Sequence, residues 1–112
     1  MHNQIQPTAR GVADALLRNA TTEIIEPYLR YVEGWQLRAG YLRAQLSVHS
    51  PGSDEHDLAA RRLDDLRAEI AAHRRYLVEG TSDLPPDDRV DATLDELDGL
   101  LRSISRAAVR AL

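Results

Sequence analysis

Apolar residues recur along this chain at alternating intervals of four and three, the period of a helix that buries one stripe against its neighbours. The longest run is Tyr28, Val32, Trp35, Ala39, Leu42, Leu46 and His49. A second run is Ala59, Leu63, Leu66, Ile70, His73 and Leu77, and a third is Val90, Leu94, Leu97, Leu101, Ile104 and Ala108. Ahead of them, Val12, Leu16 and Leu17 form a shorter amphipathic stretch.

The residues between these runs mark where helices begin and end. Pro7 and Thr8 suit the opening of a first helix, with Thr8 as its N-cap. Residues 19–22 are a weak spot, where Thr21 or Thr22 can cap a new helix. Pro27 would then fall in that helix's first turn, where its missing N–H costs little; a helix running straight through would have to kink there. A break or kink is therefore expected. Pro51 and Gly52 end the second segment. Ser53 or Asp54 caps the third, whose Asp54, Glu55 and Asp57 sit at the positive end of the helix dipole. Gly80 is the expected C′ stop, and Pro85-Pro86 prevents continuation. The last segment carries acids first and Arg102, Arg106 and Arg110 later, which complements the dipole.

These signals predict a flexible segment at 1–7 and one domain over 8–112, with helices at about 8–20, 23–49, 54–79 and 87–111. The expected fold is all-α: an antiparallel helical bundle of three to four helices built on a long helical hairpin. Folding back about Pro51-Gly52 pairs positions whose numbers add to about 105, placing Trp35 near Ile70 and His73 beside Val32 and Trp35. Arms of about 25 residues are long for so small a chain, so completion of the bundle by self-association is expected.

Composition narrows the function classes. A chain of 112 residues, 43% apolar and 29% charged, fits one globular domain. With one tryptophan, four tyrosines and no phenylalanine, its core has to be mainly aliphatic. All fourteen cations are arginine, the net charge is −4, and no dense basic cluster offers itself to phosphates, so no nucleic-acid partner is expected. The absence of cysteine excludes disulfides, thiolate metal sites and cysteine nucleophiles. Met1–Arg10 has no hydrophobic core of a signal peptide, and no apolar run nears the roughly 20 residues of a membrane span. No membrane partner is expected, and the expected compartment is the cytoplasm.

Candidate chemistry centres on His73, which occupies a stripe position that should be apolar. Glu69 and Tyr76 lie within one turn of it, and Trp35 faces it across the hairpin. Trp35, Glu69 and His73 thus form a candidate ligand site, with a hydrogen-bonded, purely structural histidine as the plainer reading. Arg74 and Arg75 adjoin His73, though at most one can share its face. His49 and His56 oppose each other across the turn near Asp54, Glu55 and Asp57, but six residues across a flexible turn is loose spacing for a metal site. There is no Glu-x-x-His pair for a di-iron bundle, no Gly-x-Ser-x-Gly elbow and no glycine-rich phosphate loop. A helix-turn-helix over 12–32 is opposed by Pro27 and by the lack of basic residues. No metal and no cofactor are predicted.

Tyr31, Gly34, Arg38 and Tyr41 make a further strip about a quarter-turn from the main stripe. Tyrosine and arginine are enriched at interfaces, and Gly34 would allow close approach. The last helix offers a second pairing route, with Asp91, Asp95 and Asp98 facing Arg110, Arg106 and Arg102 of another copy. Its plainer alternative is intrahelical support such as Asp98 to Arg102. The reading that best fits is a small non-enzymatic interaction module, an adaptor, regulatory or accessory protein, acting as a homodimer. The alternative is a bundle that binds a small molecule or metal, with or without catalysis, around Trp35, Glu69 and His73.

Overall fold

The computed structural model describes residues 9–111, and side chains through residue 106. The expected flexible segment at 1–7, the Thr8 cap, and the side chains of Ala108 and Arg110 lie outside the described residues. Three helices follow one another: α1 (Ala9–Val48), α2 (Asp54–Thr81) and α3 (Asp88–Ala111). No strand occurs among the described residues.

Each helix gives one stripe to a single core. Tyr28, Val32, Trp35, Ala39 and Leu42 of α1 meet Leu63, Leu66, Ile70 and Leu77 of α2, and Val90, Leu97, Leu100 and Ile104 of α3. Leu46, Leu94 and Leu101 pack half-buried at its edge. Each large aliphatic side chain removed from water contributes about 1.5–3 kcal/mol, so this cluster is what holds the helices together. α2 runs antiparallel to α1, since Tyr28 reaches His73 and Trp35, further along, reaches Glu69. α3 runs parallel to α1: Arg89 Nη1 donates to Thr22 Oγ1 at 2.7 Å, and Arg43 Nη1 donates to Ser103 Oγ.

Local chemistry sets the ends of α2. Ser53 N donates to Ser50 O at 3.0 Å across Pro51 and Gly52. Gly52 has φ +88°, which a residue with a Cβ rarely adopts. Ser53 then caps α2, its Oγ accepting from His56 N at 3.2 Å.

Two expectations about helix ends are corrected. The break between 20 and 23 is absent, and α1 continues through Pro27, so there are three helices rather than four. A proline inside a helix leaves the carbonyl four residues back without its donor. Here that residue is Glu23, and both Glu23 and Pro27 lie on the exposed side, where water can serve the carbonyl. Thr21 and Thr22 do not cap a new helix: their hydroxyls donate back to Leu17 O (3.1 Å) and Arg18 O (3.0 Å). Nor is Gly80 a stop. It lies inside α2, and Gly52 is the only glycine with positive φ among the described residues. The final carbonyls are met by hydroxyls instead, Thr81 Oγ1 donating to Leu77 O at 2.7 Å and Ser82 Oγ to Glu79 O at 2.8 Å.

The assembly is a rod, 78 × 23 × 15 Å, with a radius of gyration of 20.1 Å. A compact chain of this size would have about 13 Å. The cause is α1, whose 40 residues span about 60 Å, against about 42 Å for the 28 of α2. Arg89, in the first turn of α3, lies beside Thr22, so residues 9–20 project past the other two helices. The segment Pro85 to Asp88 lies against this arm, forming a groove with Asp14, Leu17, Arg18 and Thr21.

Two glycines should respond oppositely to alanine. A Cβ at Gly80 meets nothing within 4 Å, so Gly80→Ala should stabilise by about 0.5–1 kcal/mol in urea unfolding. Gly52→Ala should cost about 1–2 kcal/mol because its φ is positive.

At the start of α3, Asp87 accepts from Arg89 N at 2.9 Å and from the Arg89 guanidinium at 2.7 and 3.0 Å. The guanidinium hydrogen bonds, then the backbone one, lower its pKa from 3.8 to about 2. A carboxylate depressed in the folded state stabilises fully above its unfolded pKa and loses that effect as pH falls through the folded one. The melting-temperature difference between wild type and Asp87→Asn should therefore be largest above about pH 4 and vanish below about pH 2.

Candidate functional site

The facing sides of α1 and α2 are mainly aliphatic, but Tyr28, Tyr31 and Trp35 come level with Glu69, His73 and Tyr76. Helical spacing produces this concentration. Tyr28, Tyr31 and Trp35 lie within two turns of α1, and Glu69, His73 and Tyr76 within two turns of α2. The His73 ring lies 5.1 Å from Trp35, 5.3 Å from Tyr31, 5.9 Å from Tyr76 and 6.0 Å from Tyr28, centroid to centroid. The Tyr28 and Tyr76 rings meet it edge-on.

Three hydrogen bonds join α1 and α2 at this cluster. Trp35 Nε1 donates to Glu69 Oε2 at 2.6 Å, and Arg38 Nη1 donates to the same oxygen at 2.9 Å. Tyr28 OH donates to the His73 carbonyl oxygen at 2.9 Å, and burial, followed by the nearby Tyr31, raises its pKa. Glu69 thus bonds across to α1 instead of along its own helix to His73. Among the described residues no buried side-chain nitrogen or oxygen lacks a partner.

The structure therefore brings Trp35, Glu69 and His73 together, as an interlocked contact between two helices. Surface grooves among the described residues lie elsewhere. One is formed by Pro85 to Asp88 with α1, one by Asp64 to Ala71 with Leu101, and one by Ile25 and Leu29 with Ala92 and Thr93.

The four residues of the second strip divide between two surroundings. Tyr31 and Arg38 turn toward α2, where they meet His73 and Glu69. Tyr41 stays exposed. Gly34 is half-buried, but a Cβ there would meet nothing within 4 Å, so within this chain it admits no close neighbour. Arg74 donates to Asp98 of α3 at 2.6 and 3.3 Å, and this pairing raises the guanidinium pKa. Asp98 thus serves a bridge between α2 and α3 instead of the expected intrahelical contact with Arg102, and Arg75 faces solvent. His49 contacts Gln45 Oε1 at 3.1 Å, and His56 is buried at the start of α2. No group of three histidine or carboxylate side chains able to hold a metal occurs among the described residues. No helix of the described residues is long and apolar enough to cross a membrane.

Comparison with known proteins supplies no template: no family model, no curated protein and no solved structure matches the chain. The functional reading rests on its surface.

One feature of that surface escaped the reading of periodicity. Leu37, Tyr41 and Val48 are 70%, 62% and 71% exposed, and Ala44 between them is exposed as well. Their spacing of 4, 3 and 4 makes a second apolar stripe on α1, about 180° from the core-facing one. On the projecting arm, Leu16 (63%) and Val12 (44%) lie on this same outer face. The signal was present in the spacing, but four apolar residues outside a stronger stripe look like ordinary surface variation until the positions of α2 and α3 are known.

Glu69 and Arg38 should differ sharply on truncation. Glu69→Ala strands the buried Trp35 N–H and should cost about 1–3 kcal/mol in chemical denaturation. Arg38→Ala removes the solvent-facing half of the same contact and should cost under about 1 kcal/mol.

Proposed function

We propose that this protein is a small non-enzymatic interaction module, an adaptor, regulatory or accessory protein working in the cytoplasm as a homodimer. The observation that carries this reading is the exposed Leu37–Tyr41–Ala44–Val48 stripe. Apolar residues at heptad-like spacing on a helix face turned away from its own core are the pattern of a helix–helix seam awaiting its second helix. In this reading α1 and α2 form the long antiparallel hairpin, α3 closes one side, and a second copy covers the outer face of α1.

The alternative of a ligand or metal site around Trp35, Glu69 and His73 draws on the clustering of aromatic rings at His73. It gains less support, because the carboxylate of Glu69 is engaged by Trp35 and Arg38 and so is committed to joining the helices.

Light scattering tests the dimer. Wild type should run at twice the chain mass. Leu37→Asp combined with Tyr41→Asp should run as a monomer with unchanged helical circular dichroism, since both side chains are exposed. A wild type that stays monomeric at high micromolar concentration would overturn the reading.

A further inference from the structure

The outer face of α1 has an internal order that goes beyond being apolar. Its apolar residues lie at the two ends, Val12 and Leu16 in one half and Leu37 and Tyr41 in the other. Between them the face is charged, with Glu23 and Glu26 followed by Arg30. All seven are exposed. We propose that a second copy docks antiparallel along this face, about a twofold axis beside Glu26 and Pro27. The proposal rests on the dimer reading above and specifies the geometry of that dimer.

Charge decides the orientation. In an antiparallel pair about this axis, facing positions have numbers adding to about 53, good to about one helical turn. Leu16 then meets Leu37 of the second copy, Val12 meets Tyr41, and Glu23 meets Arg30, each contact occurring twice. A parallel pair would set Glu23, Glu26 and Arg30 each against its own like charge, which is destabilising, whereas in the antiparallel pair only Glu26, beside the axis, faces its own copy. The parallel pair would also leave the weakly apolar arm facing itself.

The length mismatch within one chain points to the same arrangement. Residues 9–20 project past α2 and α3, leaving Val12 and Leu16 exposed among the described residues. The antiparallel copy brings its Leu37 and Tyr41 to them. Each arm is then covered by the half of α1 that is backed by the other copy's α2 and α3. The charged centre sets register more than affinity, because exposed ion pairs contribute only about 0–1 kcal/mol each. Affinity comes from the apolar ends.

Disulfide trapping tests this directly, because the chain has no cysteine. Leu16→Cys and Leu37→Cys are made separately, one carrying a mass tag, then mixed and oxidised. Positions 16 and 37 lie about 31 Å apart along one helix, so no bond within a chain can confuse the result. The expected product is the 16–37 heterodisulfide, at least about tenfold over either homodisulfide. Homodisulfides in excess would overturn the antiparallel register while leaving a dimer. A dimer by light scattering with no crosslink would move the interface to another face and also overturn the proposal. A monomer would sink the dimer reading together with it.

Charge reversal gives an independent check at low salt. Glu23→Arg and Arg30→Glu should each raise the dimer dissociation constant about tenfold, corresponding to 1.4 kcal/mol. The double swap should restore it. Single reversals without effect would count against this register.

Discussion

A helix of 40 residues packed against helices of 28 and 24 cannot be covered along its whole length, and much else in this protein follows from that mismatch. α1 offers its core-facing stripe to both partners over residues 21–46, and the three stripes together close one aliphatic core. Beyond the last turn of α2 most of the arm at 9–20 stays exposed, with Pro85 to Asp88 lying against part of it. Around the circumference of α1, two neighbouring helices leave roughly the opposite face open, and on that face lie Leu37, Tyr41, Ala44 and Val48. Apolar residues exposed in the folded chain are exposed in the unfolded chain as well, so they add little to the stability of the monomer.

The aromatic cluster at His73 illustrates how a composition that suggests chemistry can serve packing. Histidine, tryptophan and a carboxylate within one turn of each other resemble the beginnings of a binding site. The indole N–H and the carboxylate, however, bond to each other across the α1–α2 contact, and the His73 backbone carbonyl accepts from Tyr28. Trp35, nearly the largest payload in the core, needs an acceptor for its N–H once buried, and Glu69 supplies it from the solvent-facing edge. Arg38 balances the carboxylate from outside. The Arg74–Asp98 pair and the Arg89 contact to Thr22 do the same work for α3. Directional contacts of this sort at the margin of an otherwise non-directional aliphatic core define which helix faces meet.

Where the reading of the sequence failed, the failures have a common cause. Pro27 and Gly80 are strong local signals, and each was overridden by surroundings that removed its usual consequence. The carbonyl left without a donor by Pro27 belongs to exposed Glu23 and needs no protein partner. The end of α2 is closed by the hydroxyls of Thr81 and Ser82, so Gly80 can remain helical. Local propensity is worth at most a few kcal/mol, and a continuous stripe buried along α1 outweighs it. The strip of Tyr31, Gly34, Arg38 and Tyr41 divided for a related reason. The angular sectors occupied by α2 and α3 depend on how three helices pack, which spacing along one helix does not encode.

The sequence by itself determined the all-helical class, most residues of each core-facing stripe though not Leu100, and the turn at Pro51-Gly52 with its Ser53 cap. These depend on periodicities and backbone preferences that act over a few residues. Only the tertiary structure decided that α1 is one uninterrupted helix, that Glu69 serves Trp35 and Arg38 rather than His73, and which face of α1 is left open. Those outcomes are set by contacts between residues far apart in the chain, whose geometry exists only after the helices have packed.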